Sequence, residues 1–411
     1  MSKRKLLFRA PVLTRSGYGE QSRFALRALR SREDLFDIYI HPLEWGSTSW
    51  INEDSEERNW IDQRVEAAVH HIQANGTFDV SVQVTIPNEF ERVATHNVGF
   101  TAGIETTKVA HEWILKGNEM DSLIVVSNHS KDVFEKTIYE AINERTNEKV
   151  NLKLEKPITA VNYPVKQYDD LKALELELDY DFNFACIAQL GPRKNLENTI
   201  NWFIEEFQYE EVGLVVKTNI SKNCQMDREI VHGRLLALLG KPEFKDRKCK
   251  IYLLHGDLTD KEMHEIYLNP KIKSLITFSH GEGFGLPVYE AAYTGIPVVS
   301  TAWSGQLDFL VDEKGQNRFY DVSYDLLPIP ESAEWKGVLV KGSMWAYPRE
   351  ASAKNKMREC YNDYISGNDE ACNYAEELKE RFSPEKQYAA FIEALNLPEL
   401  ETSNQEVLEF E

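Results

Sequence analysis

The stretch His280–Gly305, HGEGFGLPVYEAAYTGIPVVSTAWSG, constrains this chain more than any other. It follows the apolar run Ser274–Phe278 and sets Gly283, Gly285 and Pro287 between two carboxylates, Glu282 and Glu290. Glycines packed this densely let backbone approach a ligand closely. Proline suits the first turn of a helix, where its missing N–H costs nothing, and Gly295 suits the helix end. Ile296–Ser300 (IPVVS) then reads as a buried strand, so the spacing predicts strand, glycine turn, short helix, strand. A helix start offers free N–H groups and the positive end of the macrodipole, which makes a phosphate the natural ligand. The competing reading is a turn that serves packing alone, with Glu290 on a solvated face.

The chain is 411 residues long, so two or three domains are expected. With 42% apolar and 28% charged residues it has the material for substantial cores and a soluble surface. Its apolar runs fall far short of a membrane span, so no integral membrane association is expected. The N-terminus, MSKRKLLFRAPVL, lacks the long apolar region and cleavage site of a signal peptide, and Lys5–Val12 reads as a first strand. Cys186, Cys224, Cys249, Cys360 and Cys372 are dispersed and lack metal-type spacing, which points to a reducing cytoplasm without disulfides or zinc. A net charge of −20 repels a phosphate backbone at long range, so bulk nucleic-acid binding is not expected.

Short apolar strands alternate with amphipathic helices through the first half, from Leu6–Phe8 and Asp37–Ile40 to Phe78–Val84, Val98–Thr101 and Leu123–Val126. Helices are predicted near Glu20–Arg30 and Asn59–Asn75, and a charge-rich, solvated one near Glu140–Lys149. After a Pro-bearing exit at Lys156–Gln167 and an acidic connection, the pattern restarts at Asn183–Gln189 and runs to the opening motif. Alternation of this kind argues for α/β architecture, with two doubly wound parallel sheets facing across a cleft. The expected domains are 1–167 and 168–383, with a last helix in 384–398 and an acidic tail over 399–411.

The motif E-G-F-G-L-P-x-x-E with T-G-x-P-V-V after it resembles the donor-site signature of nucleotide-sugar glycosyltransferases. In particular it is similar to the retaining enzymes of glycosyltransferase family 4, which carry an E-x7-E pattern. The resemblance implies the GT-B fold, with two Rossmann-like domains and the last helix returning to the first. It implies a nucleotide diphosphate sugar as donor partner, no cofactor and no metal, and an acceptor hydroxyl that the sequence does not identify. By the same resemblance Glu282 would sit against the transferred sugar and Glu290 would bond the ribose. Gly283, Phe284, Gly285 and Leu286, with Ser304 and Gly305, would line the donor site. Lys194 takes the place of the family's diphosphate-binding lysine; the usual arginine position holds Gln189, so either Arg193 substitutes or Lys217 shares the charge. Arg193 offers a planar fork for phosphate oxygens, and fixed cations stabilise a departing diphosphate.

Gly17 and Gly19 form a βα turn, but Ser22 stands where the dinucleotide fingerprint needs glycine, which counts against an NAD or FAD enzyme. In the resembled family this turn lies near the donor phosphates and the acceptor. His255 reads equally as a base contact and as an ordinary turn residue. Glu105, close behind the strand ending near Thr101, is the acceptor-side carboxylate favoured here, ahead of His96. The other functions kept open are a non-catalytic nucleotide-sugar-binding protein, for which Gln189 speaks, and a transferase acting on a modified nucleobase or a protein.

Overall fold

Strands rich in Val, Ile, Leu and Phe, buried on both faces at the sheet centres, build the two sheets of the computed structural model, which describes residues 3–46, 48–142 and 147–398. The first sheet takes β1 (Arg4–Ala10), β2 (Phe36–Pro42), β3 (Val80–Val84), β4 (His96–Thr101) and β5 (Ser122–Val125). A hairpin of β6 (Tyr139–Ile142) and β7 (Lys149–Leu152) intervenes before β8 (Ile158–Ala160) completes the sheet. All neighbours are parallel, in the order β2-β1-β3-β4-β5-β8. The second sheet takes β9 (Asn183–Ile187), β10 (Gly213–Lys217), β11 (Lys250–Leu254), β12 (Ile272–Thr277), β13 (Val298–Thr301) and β14 (Tyr320–Val322). It too is parallel, in the order β11-β10-β9-β12-β13-β14. Both orders reverse direction once, at β1/β3 and at β9/β12, and doubly wound sheets bind ligands beyond the strand ends at such points.

Local chemistry sets the helix boundaries. Ser16 starts the helix Gly17–Arg30 by accepting from the Gly19 N–H, and Ser127 starts Asn128–Lys136 in the same way from Ser130. Thr259 and Glu262 form a reciprocal capping box on Asp260–Tyr267. The predicted helix at Glu140–Lys149 is not formed: its described flanks are β6 and β7, while 143–146 lie outside the described residues. Tertiary anchoring explains the difference. The Tyr139 hydroxyl donates to the Val109 carbonyl at 2.6 Å, and Lys108 lies over its ring, which outweighs the helix preference of Glu and Lys. The acidic tail 399–411 also lies outside the described residues.

The domains are joined along one flank. Helix Pro384–Ala394 packs on Gly17–Arg30, with Phe391 wedged 5.5 Å from Phe24 and 5.3 Å from Phe100, ring centre to ring centre. The linker runs beside this crossing, where the Val165 N–H donates to the Phe382 carbonyl at 2.9 Å. On the opposite flank β15 (Tyr324–Pro328) and β16 (Met344–Pro348) pair antiparallel, and the strap between them reaches the first domain. Val338 on that strap joins the buried cluster of Phe90, Ile104 and Trp113. Among the described residues no helix is long and apolar enough to cross a membrane. Because Phe391 is fully buried in the first domain's core, Phe391→Ala is expected to cost about 3–5 kcal/mol. A urea titration that found wild-type stability would show the last helix to be dispensable.

Candidate functional site

The ends of β9 and β12 meet at the second sheet's switch point. After β9 the chain makes one tight turn, Pro192–Lys194, and passes through Asn195 in the left-handed region (φ 50°) before helix Leu196–Phe207. The Asn195 side-chain amide donates to the Phe278 carbonyl at 3.0 Å, and the His280 N–H donates to the Arg193 carbonyl at 2.8 Å. These bonds fix the turn against the loop after β12, so the two cations face Glu282. The Lys194 ammonium donates to both Glu282 oxygens, at 2.6 and 2.7 Å. Arg193 donates to Glu282 at 3.1 Å and to the Gly281 carbonyl at 2.5 Å. Its other nitrogen lies 3.1 Å from Glu105, which arrives from the first domain just beyond β4. One cluster therefore holds Glu282, Lys194, Arg193 and Glu105.

Glu282 is only 6% exposed. Burial pushes its carboxyl up, but Lys194 and Arg193 outweigh this and hold it at about 2, so it is ionised. Burial pushes the Lys194 ammonium down, and Glu282 only partly restores it.

The glycines of the motif answer a packing demand. A Cβ on Gly305 would lie 1.9 Å from the Gly283 carbonyl oxygen, because the loops after β12 and β13 touch there. The Gly305 N–H donates to the Glu282 carbonyl at 2.9 Å, while the Ser304 hydroxyl accepts from the Glu282 N–H at 2.8 Å and donates to Gln306. Ser304 pays for this with a positive φ of 81°. Across the cleft, Gly283 leaves room for the Ala102 carbonyl, 2.7 Å from where its Cβ would be. Gly285 (φ 93°) turns the chain into helix Leu286–Thr294, and Pro287 occupies its first turn. Phe284 is a core ring, packed on Tyr163, Tyr289 and Phe309.

Glu290 lies on the same helix, half-buried, in a pocket between the domains with Leu286, Lys166 and Glu20. Burial lifts its carboxyl to about 7; Lys166 opposes this, and Glu20 and Asp260 reinforce it. Lys166, from the linker, bridges Glu20 at 2.8 Å and Asp260 at 3.1 Å. Of the first turn, Gly17 faces open space, whereas a Cβ on Gly19 would strike the Thr14 carbonyl at 1.9 Å. Tyr18 between them donates or accepts at Thr101 (2.8 Å) and stacks on Trp45.

Other candidates stand apart from the cluster. Lys217 donates to the Gly256 carbonyl at 2.8 Å, beside His255 rather than beside Glu282. His255 is bonded at 2.9 Å to Asp227, which also accepts the N–H groups of Ile220, Ser221 and Lys222. Gln189 donates to the Ile220 carbonyl at 2.6 Å. His96 bonds the Leu395 carbonyl at 2.9 Å, so it fastens the last helix. Sequence reasoning passed over Asp308, which accepts from the Asn128 N–H at 2.8 Å and from the Asn162 side chain at 2.8 Å across the cleft. It gave no role to Lys166. No group of three or more His, Cys, Asp or Glu among the described residues is placed to hold a metal ion.

Comparison with known proteins identifies the fold. Residues 247–324, which include the motif, match the family model for glycosyl transferases group 1. No curated protein sequence matches the chain. Among solved structures, HepE of Anabaena in complex with UDP and glucose superposes with a TM-score of 0.62 at 12% identity, covering 96% of this chain and 99% of HepE. Sucrose-phosphate synthase from Thermosynechococcus elongatus gives 0.61 at 11% identity over 96% of this chain and 98% of its own. An E. coli structure described as trehalose-6-phosphate bound with UDP-2-fluoro glucose gives 0.56 at 11% identity, covering 96% and 99%. The fold is GT-B: two Rossmann-like α/β domains across a cleft, and the segment that matches the glycosyl transferases group 1 model forms the cleft wall that carries Glu282 and Glu290.

Proposed function

We propose that the chain is a retaining glycosyltransferase of the family 4 type, moving a sugar from a nucleotide diphosphate sugar to an acceptor hydroxyl. The observation that carries this reading is the convergence of Lys194 and Arg193 on Glu282 at the switch point of the second sheet, opposite Glu105. The donor lies on the second domain. Its diphosphate takes the charge of Lys194 and Arg193, so this protein's own cations stabilise the leaving group. Glu282 faces the sugar hydroxyls and the positive charge that develops at the anomeric carbon. Glu290 faces the ribose. The acceptor hydroxyl comes from the Glu105 side and attacks on the face the diphosphate leaves, with a phosphate oxygen taking its proton. Closure of the cleft excludes water, whose attack would hydrolyse the donor. Family similarity of the motif supports retention, and the dispersed cysteines support a cytoplasmic setting. A uridine diphosphate sugar is the donor to try first, since HepE and the E. coli neighbour are seen with UDP ligands.

A nucleotide-sugar panel read by thermal shift identifies the donor, because binding stabilises the folded state. With that donor, Lys194→Ala and Glu282→Ala are each expected to lower turnover about a hundredfold or more. Transfer at the wild-type rate by both variants would remove the assignment. Donor binding with neither transfer nor hydrolysis would instead favour a nucleotide-sugar-binding protein. Glu290 gives a second check. At about 7, its carboxyl is protonated below and ionised above, so donor KM is expected to fall as pH rises through that value. Glu290→Gln should abolish this limb. Linkage has the opposite sign. With its folded value raised above the ordinary 4.5, native protein holds the extra proton between the two values. Its stability therefore decreases as pH rises across that window, and the Gln variant should lack that slope in thermal melts.

A further inference from the structure

The cleft cluster is charge-matched within the protein. Two cations, Lys194 and Arg193, face two carboxylates, Glu282 and Glu105. Lys194 is engaged by both oxygens of Glu282, and Arg193 divides its guanidinium among Glu282, Glu105 and the Gly281 carbonyl. Phosphate oxygens and carboxylate oxygens recognise the same planar fork and the same ammonium. A diphosphate and these carboxylates therefore want the same two groups.

We propose that Glu282 and Glu105 compete with the donor's diphosphate for Lys194 and Arg193, so that the donor binds by anion exchange. The inference rests on the donor-site reading of the cluster. It gives the two carboxylates different fates. Glu105, at the cleft rim with a side chain 26% exposed, can swing into solvent or toward an acceptor hydroxyl once Arg193 turns to phosphate. Glu282, with a side chain 8% exposed, has no such escape. A buried carboxylate stripped of its cations is costly unless new donors reach it. The hydroxyls of a sugar attached to the diphosphate are such donors. The exchange thus favours an intact nucleotide sugar over the nucleoside diphosphate alone, and it frees Glu105 for the acceptor side only after the donor is seated. Donor binding would then precede productive acceptor binding.

Inorganic pyrophosphate, titrated by calorimetry, reads the exchange without any donor. Glu105→Gln removes a competitor at the cleft rim and is expected to bind pyrophosphate about two- to fivefold more tightly than wild type. Glu282→Gln removes the buried competitor and is expected to tighten it about tenfold. Lys194→Ala should weaken it in every background. A cooperative thermal melt shows that each variant is folded, and Glu105→Gln, at the rim, carries the test if Glu282→Gln is not. Pyrophosphate binding by folded Gln variants that is no tighter than wild type, or absent, would overturn the proposal. Failure of the transferase reading shows elsewhere, as no turnover of any nucleotide sugar, while the pyrophosphate titrations still decide the exchange.

Discussion

Glu282 is a buried carboxylate, and its ionisation depends on Lys194 and Arg193 being in place together. Desolvating such a group costs several kcal/mol, roughly, and only well-aligned cations and hydrogen bonds offset this. The surrounding structure supplies that alignment. Asn195 and His280 tie the turn after β9 to the loop after β12. Ser304, in a backbone region that side chains seldom adopt, fixes the Glu282 N–H, and Gly305 fixes its carbonyl. His280 in turn bonds Ala346 on β16 through both its backbone and its ring, so the hairpin that carries the strap is coupled to the same loop. Loosening any one of these contacts would leave the carboxylate less well paired.

The second domain was legible because its instructions are local. Gly285, Pro287 and Gly295 specify a helix start and end within ten residues, and the structure places helix Leu286–Thr294 there. Lys194 sits just before Asn195, in a turn whose proline and glycine announce it. What the glycines make room for was not legible. Gly19 and Gly305 avoid backbone oxygens of their own domain, whereas Gly283 avoids Ala102 of the other. A missing Cβ has the same signature in each case. Phe284, placed by motif position among ligand contacts, proves to be a core ring, because its partners Tyr163 and Phe309 are far away in sequence. The meeting of Glu105 with Arg193 and the seating of Val338 in the first domain's core are likewise long-range facts without a local pattern.

The two flanks of the cleft are held unequally. On one, the linker and the last helix share a backbone hydrogen bond, and the Phe391 ring lies in the first domain's core. Lys166 adds ion pairs to both domains there. On the other, the strap touches the first domain through Val338, an Asn88 bond to the Gly337 carbonyl and two bonds between Thr107 and Met344. A rotation that opened the cleft about the linker would have to break these strap contacts, together with the Asp308 bonds to Asn128 and Asn162. Arg193–Glu105 lies between these flanks and would part in the same motion.

Charge gives that motion its consequence. A protein of net charge −20 repels a diphosphate at long range, so on the proposed donor reading capture would depend on cations felt only at close quarters. Salt at physiological strength confines such forces to roughly 8 Å, which keeps the long-range penalty small and leaves the local field decisive. Parting Arg193 from Glu105 would uncover one cation at the moment the cleft is widest. A bound diphosphate would then draw both Arg193 and Lys194, and closure would bring Glu105 back beside a guanidinium already occupied. The carboxylate would face the acceptor side, with its position set by the loop Ala102–Thr107 and the bonds from Thr107 to Met344.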